Sequence, residues 1–298
     1  MTLPQTETVS TNATGIDSMP DAAVLARVLA GQKTAIMSVE SAMIPISNAA
    51  LLMADTIRGD GRIVYAAAGS SALMAVADGL ELGGTFGIAS DRIKLLMAGG
   101  LPTDASMPGD TEDDVSEAEM AARDIGTNDV VIAVTASGST PYTCTISRLA
   151  QDAGAGTVGI ANNADAMLFN TSDVAIHLPT PPEIIAGSTR LGAATAQKAA
   201  LNMMSTLMGI HLGHVHDGMM VNLAADNSKL RARAAGMVCT ITGADDELAQ
   251  GCLEQSDGAV KSAVLLAAGV PDMAQAEVML KQAQGNLRKA LTEHGFYE

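Results

Sequence analysis

Apolar residues along this chain fall into two kinds of run. The first kind is short, continuous and β-branched: Arg62-Ile-Val-Tyr-Ala-Ala67 opens into Ala68-Gly-Ser-Ser71, and Val130-Val-Ile-Ala-Val134 leads on to Ala136-Ser-Gly-Ser-Thr140. Unbroken apolar runs of this length, closed by turn residues, predict strands buried on both faces. Similar runs predict strands at 93–97, 157–161 and 174–178. The second kind has helical spacing. It predicts helices from Asp21, over 33–58, 72–80, 141–153 and 193–212, and three short ones over 246–254, 259–268 and 273–284. Gly59-Asp-Gly61 and Gly83-Gly84-Thr85 are read as breaks, residues 1–19 as extended or mobile, and the acidic stretch 102–124 as a loop running into a helix. Strand and helix alternate, so the fold class is α/β, with a parallel sheet covered on both faces.

Composition narrows the partners. The 298 residues are 48% hydrophobic but only 2% aromatic, with 18 Met and no Trp, so the core is built from small and flexible side chains. A formal charge of −16 argues against nucleic acid and anionic membrane surfaces, both of which select for Lys and Arg. Three widely spaced cysteines, Cys144, Cys239 and Cys252, form neither a zinc pattern nor a disulfide framework and suit a reducing compartment. The first residues carry no basic stretch followed by an apolar core, and no segment is read as a membrane span, so a cytoplasmic location is expected.

The two hydroxyl-rich turns are the candidate chemistry. Gly/Ser turns also serve simply to reverse the chain. At the start of a helix, however, unpaired amides and the positive end of the dipole hold a phosphate without any cation. Gly69, Ser70 and Ser71 of the first turn, with Ser137, Gly138, Ser139 and Thr140 of the second, are therefore candidate phosphate-binding residues. Neither turn is a dinucleotide fingerprint or a Gly-Lys-Ser/Thr loop. His211, His214 and His216 are read as surface or helix-end residues and no metal site is expected, while Met203, Met204 and Met208 are read as core. The helix over 193–212 is apolar nearly all round, which means deep burial or use against a partner subunit. Glu183 is a candidate for hydrogen bonds to sugar hydroxyls.

A set of matching stretches goes further: Asp78-Gly-Leu-Glu81 with Thr85-Phe-Gly87, Ala98-Gly-Gly100, Glu112-Asp-Asp114, Asp129-Val-Val-Ile132, Ala136-Ser-Gly138 with Thr140-Pro-Tyr142, Gly187-Ser-Thr-Arg190, Thr195-Ala-Gln-Lys198 and Asn202-Met-Met-Ser-Thr206. Through them the chain resembles the bacterial N-acetylmuramic acid 6-phosphate etherases, of the sugar isomerase (SIS) fold group that also includes the glucokinase regulatory protein. The resemblance implies a three-layer αβα sandwich over 59–238, an N-terminal extended and helical arm over 1–58 and a small C-terminal helical appendage over 239–298. It implies a cofactor-free lyase of amino sugar catabolism and peptidoglycan recycling that removes D-lactate from carbon 3 of the sugar phosphate. Glu112 matches the base that takes the carbon 2 proton, Glu81 the acid that protonates the departing lactate oxygen, and Ser188 and Thr189 fall among the substrate-binding positions. A homodimer with its site near the subunit interface is expected. Departures from the family pattern place Leu73, Ser139 and Gly192 where the family carries cations. An aldose–ketose isomerase and a non-catalytic sugar-phosphate sensor remain open as alternatives at this point.

Overall fold

The computed structural model describes residues 5–107, 110–223 and 228–297. It divides into two compact units, Met1–Leu80 with Ser90–Leu207, and Glu81–Ala89 with Met208–Glu298.

The first unit is built on five parallel strands, β1 (Ile63–Ala67), β2 (Ile93–Met97), β3 (Val130–Thr135), β4 (Gly156–Ala161) and β5 (Val174–His177), in the order β2-β1-β3-β4-β5. Ile63 lies opposite Ile93 on one side and Val130 on the other. Every residue of β1 and β3 is buried, which is why neither run alternates in polarity. Around the sheet are α1 (Asp21–Met37), α2 (Met43–Arg58), α3 (Gly69–Phe86), α4 (Val115–Ala121), α5 (Pro141–Asp152) and α6 (Gly192–His211). Val64, Ala66, Val131 and Ala133 pack with Ala118 of α4 and Ile146 of α5. The alternate residue Tyr65 faces α3, where a Cβ on Gly79 would lie 2.6 Å from Leu95 and 3.1 Å from the Tyr65 ring. Position 79 has no side chain because the α3 backbone rests directly on the sheet. Below it, buried Asp78 accepts hydrogen bonds from Tyr65 Oη (2.7 Å), Asn202 Nδ2 (2.7 Å) and Ser205 Oγ (2.9 Å), tying β1, α3 and α6 together. The result is the expected three-layer αβα arrangement.

The N-terminal edge of the sheet is clamped by charge. Arg62 donates to Asp129 (2.7 Å) and Asp124 (2.9 Å), and Asp129 also accepts the Arg62 amide at 2.8 Å. Hydrogen bonds from Lys94 and then Arg62 hold the Asp124 carboxyl at about 2. Burial pushes Asp129 upward, but Arg62 and two backbone amides more than offset it and leave it below the ordinary value.

Several expectations change. The helix predicted over 33–58 is divided between α1 and α2 by a tighter turn, Ser38–Ala42. Ser38 and Ser41 bond back to the Ala35 and Ser38 carbonyls, and Pro45, lacking an amide hydrogen, belongs in the first turn of a new helix. The run α3 continues through Gly83-Gly84 to Phe86, whose side chain is buried and whose carbonyl accepts Asn222 Nδ2 at 3.1 Å, so tertiary contact overrides the low helix propensity of glycine. The N-terminal stretch is ordered from Gln5 onward: Gln5 donates its amide to Asn163 (2.9 Å), and the buried Thr6 accepts from Gly187 (3.2 Å). Finally, Asp21–Arg58 is long and apolar enough to cross a membrane by composition, contrary to expectation. Here α2 turns Ala49, Ala50, Met53 and Ala54 into the core against β1, β3 and β5. The helix α6 is largely buried, as one of its two readings required.

The second unit is helical, with α7 (Ser228–Thr242), α8 (Asp246–Gln255), α9 (Val260–Ala267), α10 (Met273–Gln282) and α11 (Leu287–Glu293), preceded by a hairpin of β6 (Val215–His216) and β7 (Met219–Met220). Asp245, Asp272 and Asn286 cap α8, α10 and α11 by accepting Leu248, Gln275 and Lys289 amides at 2.8–3.0 Å. Val238, Val264, Leu265 and Leu291 form its core. His216 is buried against Tyr297, whose hydroxyl lies 3.1 Å from Nε2, rather than at the surface. Lys261, only 9% exposed, sits in this apolar setting. Burial holds its ammonium down to about 8, and burial together with the Lys261 charge holds His214 down to about 4.

Between pH 8 and 10.5 the unfolded chain carries a proton on Lys261 that the folded unit lacks, so folding becomes more favourable as pH rises through that window. Below it the full cost applies. Lys261→Met is expected to stabilise the protein at pH 7 by up to about 3 kcal/mol, at roughly 1.4 kcal/mol per unit, with the gain shrinking toward pH 10; denaturant melts at the two pH values check this.

Candidate functional site

In a sheet of order β2-β1-β3-β4-β5, the connections from β1 and β3 leave toward opposite faces, and the crevice outside their C-terminal ends is the natural ligand position. Ala67 pairs with Val134, so the two hydroxyl turns begin on neighbouring strands about 4.8 Å apart. The first turn passes through Gly69 at φ 55° into α3, whose first turn carries Ser70, half-buried, and Ser71, buried.

The second turn is held more tightly. Thr140 precedes α5 with Pro141 in the first helical turn, where its missing amide costs nothing. Gly138 has φ 79°, and a Cβ there would lie 2.2 Å from that of Ala166, so only glycine fits. The Ala136 carbonyl accepts from the Asn162 amide and Asn163 Nδ2, both at 3.1 Å, and the Gly138 carbonyl accepts from Leu168 at 3.0 Å. At the centre lies Thr135 Oγ1, which accepts from the Gly138 amide at 3.3 Å and pairs with the hydroxyls of Thr140 (2.7 Å) and Ser137 (3.2 Å). Ser139 is exposed and donates its amide to Ser137 Oγ at 3.2 Å. Thr135 was not among the predicted residues. Its signal was present, a hydroxyl at the last position of an otherwise apolar strand, but it reads equally as an ordinary β-branched strand residue.

Glu183, Ser188 and Thr189 follow β5 at the same edge of the sheet. Both Glu183 oxygens accept amide protons at the start of α6, from Gly192 and Ala193 at 2.8 Å each, so this buried carboxylate neutralises a helix N-terminus. Ser188 and Thr189 are half-buried in the loop that leads into that helix. Glu112 follows β2, in the exposed turn Thr111–Asp113. Glu81 falls in the second unit and is exposed on α3. Arg190 and Lys198 are exposed. The three cysteines are free, and burial pushes the Cys144 thiol up to about 11, which makes it a poor nucleophile. Among the described residues, no group of three or more His, Cys, Asp or Glu is placed to hold a metal ion.

A cradle of backbone amides and hydroxyls with carboxylates beyond it suits a small anionic ligand carrying polar groups. A model described as SIS domain matches residues 110–208. An N-acetylmuramic acid 6-phosphate etherase of Deinococcus radiodurans is 38% identical over 294 residues, covering 97% of this chain and 95% of the relative. One from Streptomyces avermitilis is 37% identical over 93% of this chain and 89% of its own length, and one from Symbiobacterium thermophilum is 40% identical over 80% of each. A solved structure from Bacteroides fragilis, described as a phosphosugar isomerase involved in capsule formation, superimposes with a TM-score of 0.52 at 18% identity over 67% of this chain and 99% of its own, which establishes a shared fold.

Thr135→Val keeps the shape of the side chain and removes the oxygen on which the second turn converges. A loss of about 1–3 kcal/mol is expected, with Thr135→Ser close to the parent; thermal melts of the two variants test it.

Proposed function

The chain belongs to the N-acetylmuramic acid 6-phosphate etherase family, and from that premise we infer that it is a carbon–oxygen lyase that cleaves the D-lactyl ether of N-acetylmuramic acid 6-phosphate. The products are N-acetylglucosamine 6-phosphate and D-lactate. What supports this beyond the family is the pairing of Ala67 with Val134, which starts the two hydroxyl-rich turns on neighbouring strands. In the proposed arrangement Gly69, Ser70, Ser71, Ser137, Gly138, Ser139 and Thr140 receive the phosphate, Ser188 and Thr189 border the sugar, and Glu183 fixes the start of α6 beside them.

Carbon 2 lies next to the aldehyde of the open-chain sugar, so its proton is acidic enough for a carboxylate to remove. Glu112 takes that proton as the carbon 3–oxygen bond breaks, and Glu81 donates one to the lactate oxygen. Water then adds across the carbon 2–carbon 3 double bond, its hydroxyl going to carbon 3 and a proton to carbon 2. The net change is ether plus water to two alcohols, with no redox partner. The two carboxyl groups work in opposite protonation states, the usual requirement of paired acid–base catalysis.

The working unit we propose is a cytoplasmic homodimer. Leu25, Leu29, Met37, Met43 and Ile44 of the N-terminal helices are 50–76% exposed, an apolar surface that a second copy would cover. Helix α1 is tied to the first turn of α6, where Thr195 donates to Gln32, so a partner seated on α1 would lie near the start of α6.

Incubation of the purified protein with N-acetylmuramic acid 6-phosphate is expected to release D-lactate, and Glu112→Gln or Glu81→Gln to reduce kcat by about 100-fold or more; absence of lactate from the parent protein would remove this activity. Light scattering is expected to give twice the 30.3 kDa chain mass, and Leu25→Glu with Ile44→Glu to give the monomer.

A further inference from the structure

We propose that Glu117 is a positioning residue for this reaction: its carboxylate fastens α4 to the end of β2 and so fixes the turn that carries Glu112. The inference rests on the etherase reading for the role of Glu112, and on geometry for the rest.

After β2 the chain leaves the sheet, makes a long excursion and returns through the turn Thr111–Asp113 into α4. The return is fixed by a ladder of contacts. The Asp114 amide donates to the Thr111 carbonyl at 3.1 Å, and the Asp114 carboxylate accepts the Glu117 amide at 2.9 Å, capping α4. The Glu117 side chain then reaches back to the sheet, where both oxygens face the amide of Gly99, at 2.9 and 3.1 Å. Its neighbour Ala98 donates to the Ala67 carbonyl at 3.1 Å, the point at which β1 gives way to the first hydroxyl turn. One carboxylate thus closes an 18-residue excursion onto the rim of the crevice.

Closing a loop of this size has an entropic cost, and the segment between its ends has few apolar anchors to meet it. An ionised acceptor on a backbone amide is among the stronger hydrogen bonds available, and the charge also lies in the first turn of α4, where the helix dipole favours it. The same charge reaches the second turn. After burial, Glu117 is the cause that pushes the Tyr142 phenol up to about 12, and Tyr142 stands two residues past Thr140. Glu117 therefore joins α4 to the end of β2 within electrostatic reach of Tyr142, with both oxygens directed at a backbone amide instead of open space. That orientation suits a residue acting through its neighbour better than one carrying a proton.

The test compares Glu117→Ala, Glu117→Gln and the parent by lactate release and by amide hydrogen exchange over 98–114. Displacing Glu112 by a fraction of its reach is expected to lower kcat of Glu117→Ala by about 10- to 100-fold while KM stays within about 3-fold, with faster exchange at Gly99 and Thr111–Asp113. The Gln variant keeps an oxygen for the Gly99 amide and is expected to recover most of kcat, with the acid limb of its pH profile unmoved. A Gln variant as impaired as the Ala variant would show that the charge itself takes part, and would overturn the positioning role. Exchange over 98–114 in Glu117→Ala identical to the parent would overturn the fastening. If the parent releases no lactate, the etherase reading fails by itself, and the exchange comparison still decides whether Glu117 holds this segment.

Discussion

The parallel pairing of β1 with β3 is the constraint on which the remaining geometry depends. Strands far apart in sequence are brought into register at Ile63–Val130 and held to Ala67–Val134, so whatever follows each of them emerges side by side. The Arg62–Asp129 clamp secures one end of that register with both a side-chain ion pair and a backbone hydrogen bond. A slip of one residue would turn Tyr65 and Ile132 to the opposite face and separate the Tyr65 hydroxyl from Asp78. The hydroxyl-rich turns at one edge and the charged clamp at the other are therefore two ends of a single pairing.

Hydroxyls and backbone amides gather at the C-terminal ends of β1 and β3 in a chain of formal net charge −16. Leu73 and Ser139 are both exposed, and Ser139 is bonded into the turn through Ser137. A Cβ at position 192 would lie 3.1 Å from Glu183 and 3.2 Å from Ala35, so a side chain there requires those neighbours to give way slightly. Thr135, Asn163 and Leu168 fix the second turn from three directions.

Carboxylates at this edge are sorted by what they touch. Glu183 is buried and bonded to two amides of α6, Glu117 is bonded to Gly99, and Glu112 stands exposed on its turn. Residue type and neighbourhood in sequence do not distinguish these three. The partners of Glu183 lie 9 and 10 residues away across a helix start and that of Glu117 lies 18 residues away across a loop, and only the folded chain assigns them.

The sequence by itself determined the sheet, the α/β class, the two hydroxyl turns and the family, because apolar period, turn chemistry and motif spacing are local properties that survive in one dimension. The strands at 93–97 and 130–135, and the helix starting at Pro141, follow directly from such runs. Tertiary structure alone decided the rest. The order of Gln5 and Thr6 comes from Asn163 and Gly187, the extension of α3 through Gly83-Gly84 from contacts of Phe86, and the importance of Thr135 and Glu117 from atoms brought together only by the closed sheet. Each of these depends on contacts between segments distant in sequence, whose energies outweigh local preference and leave no periodic trace in the chain.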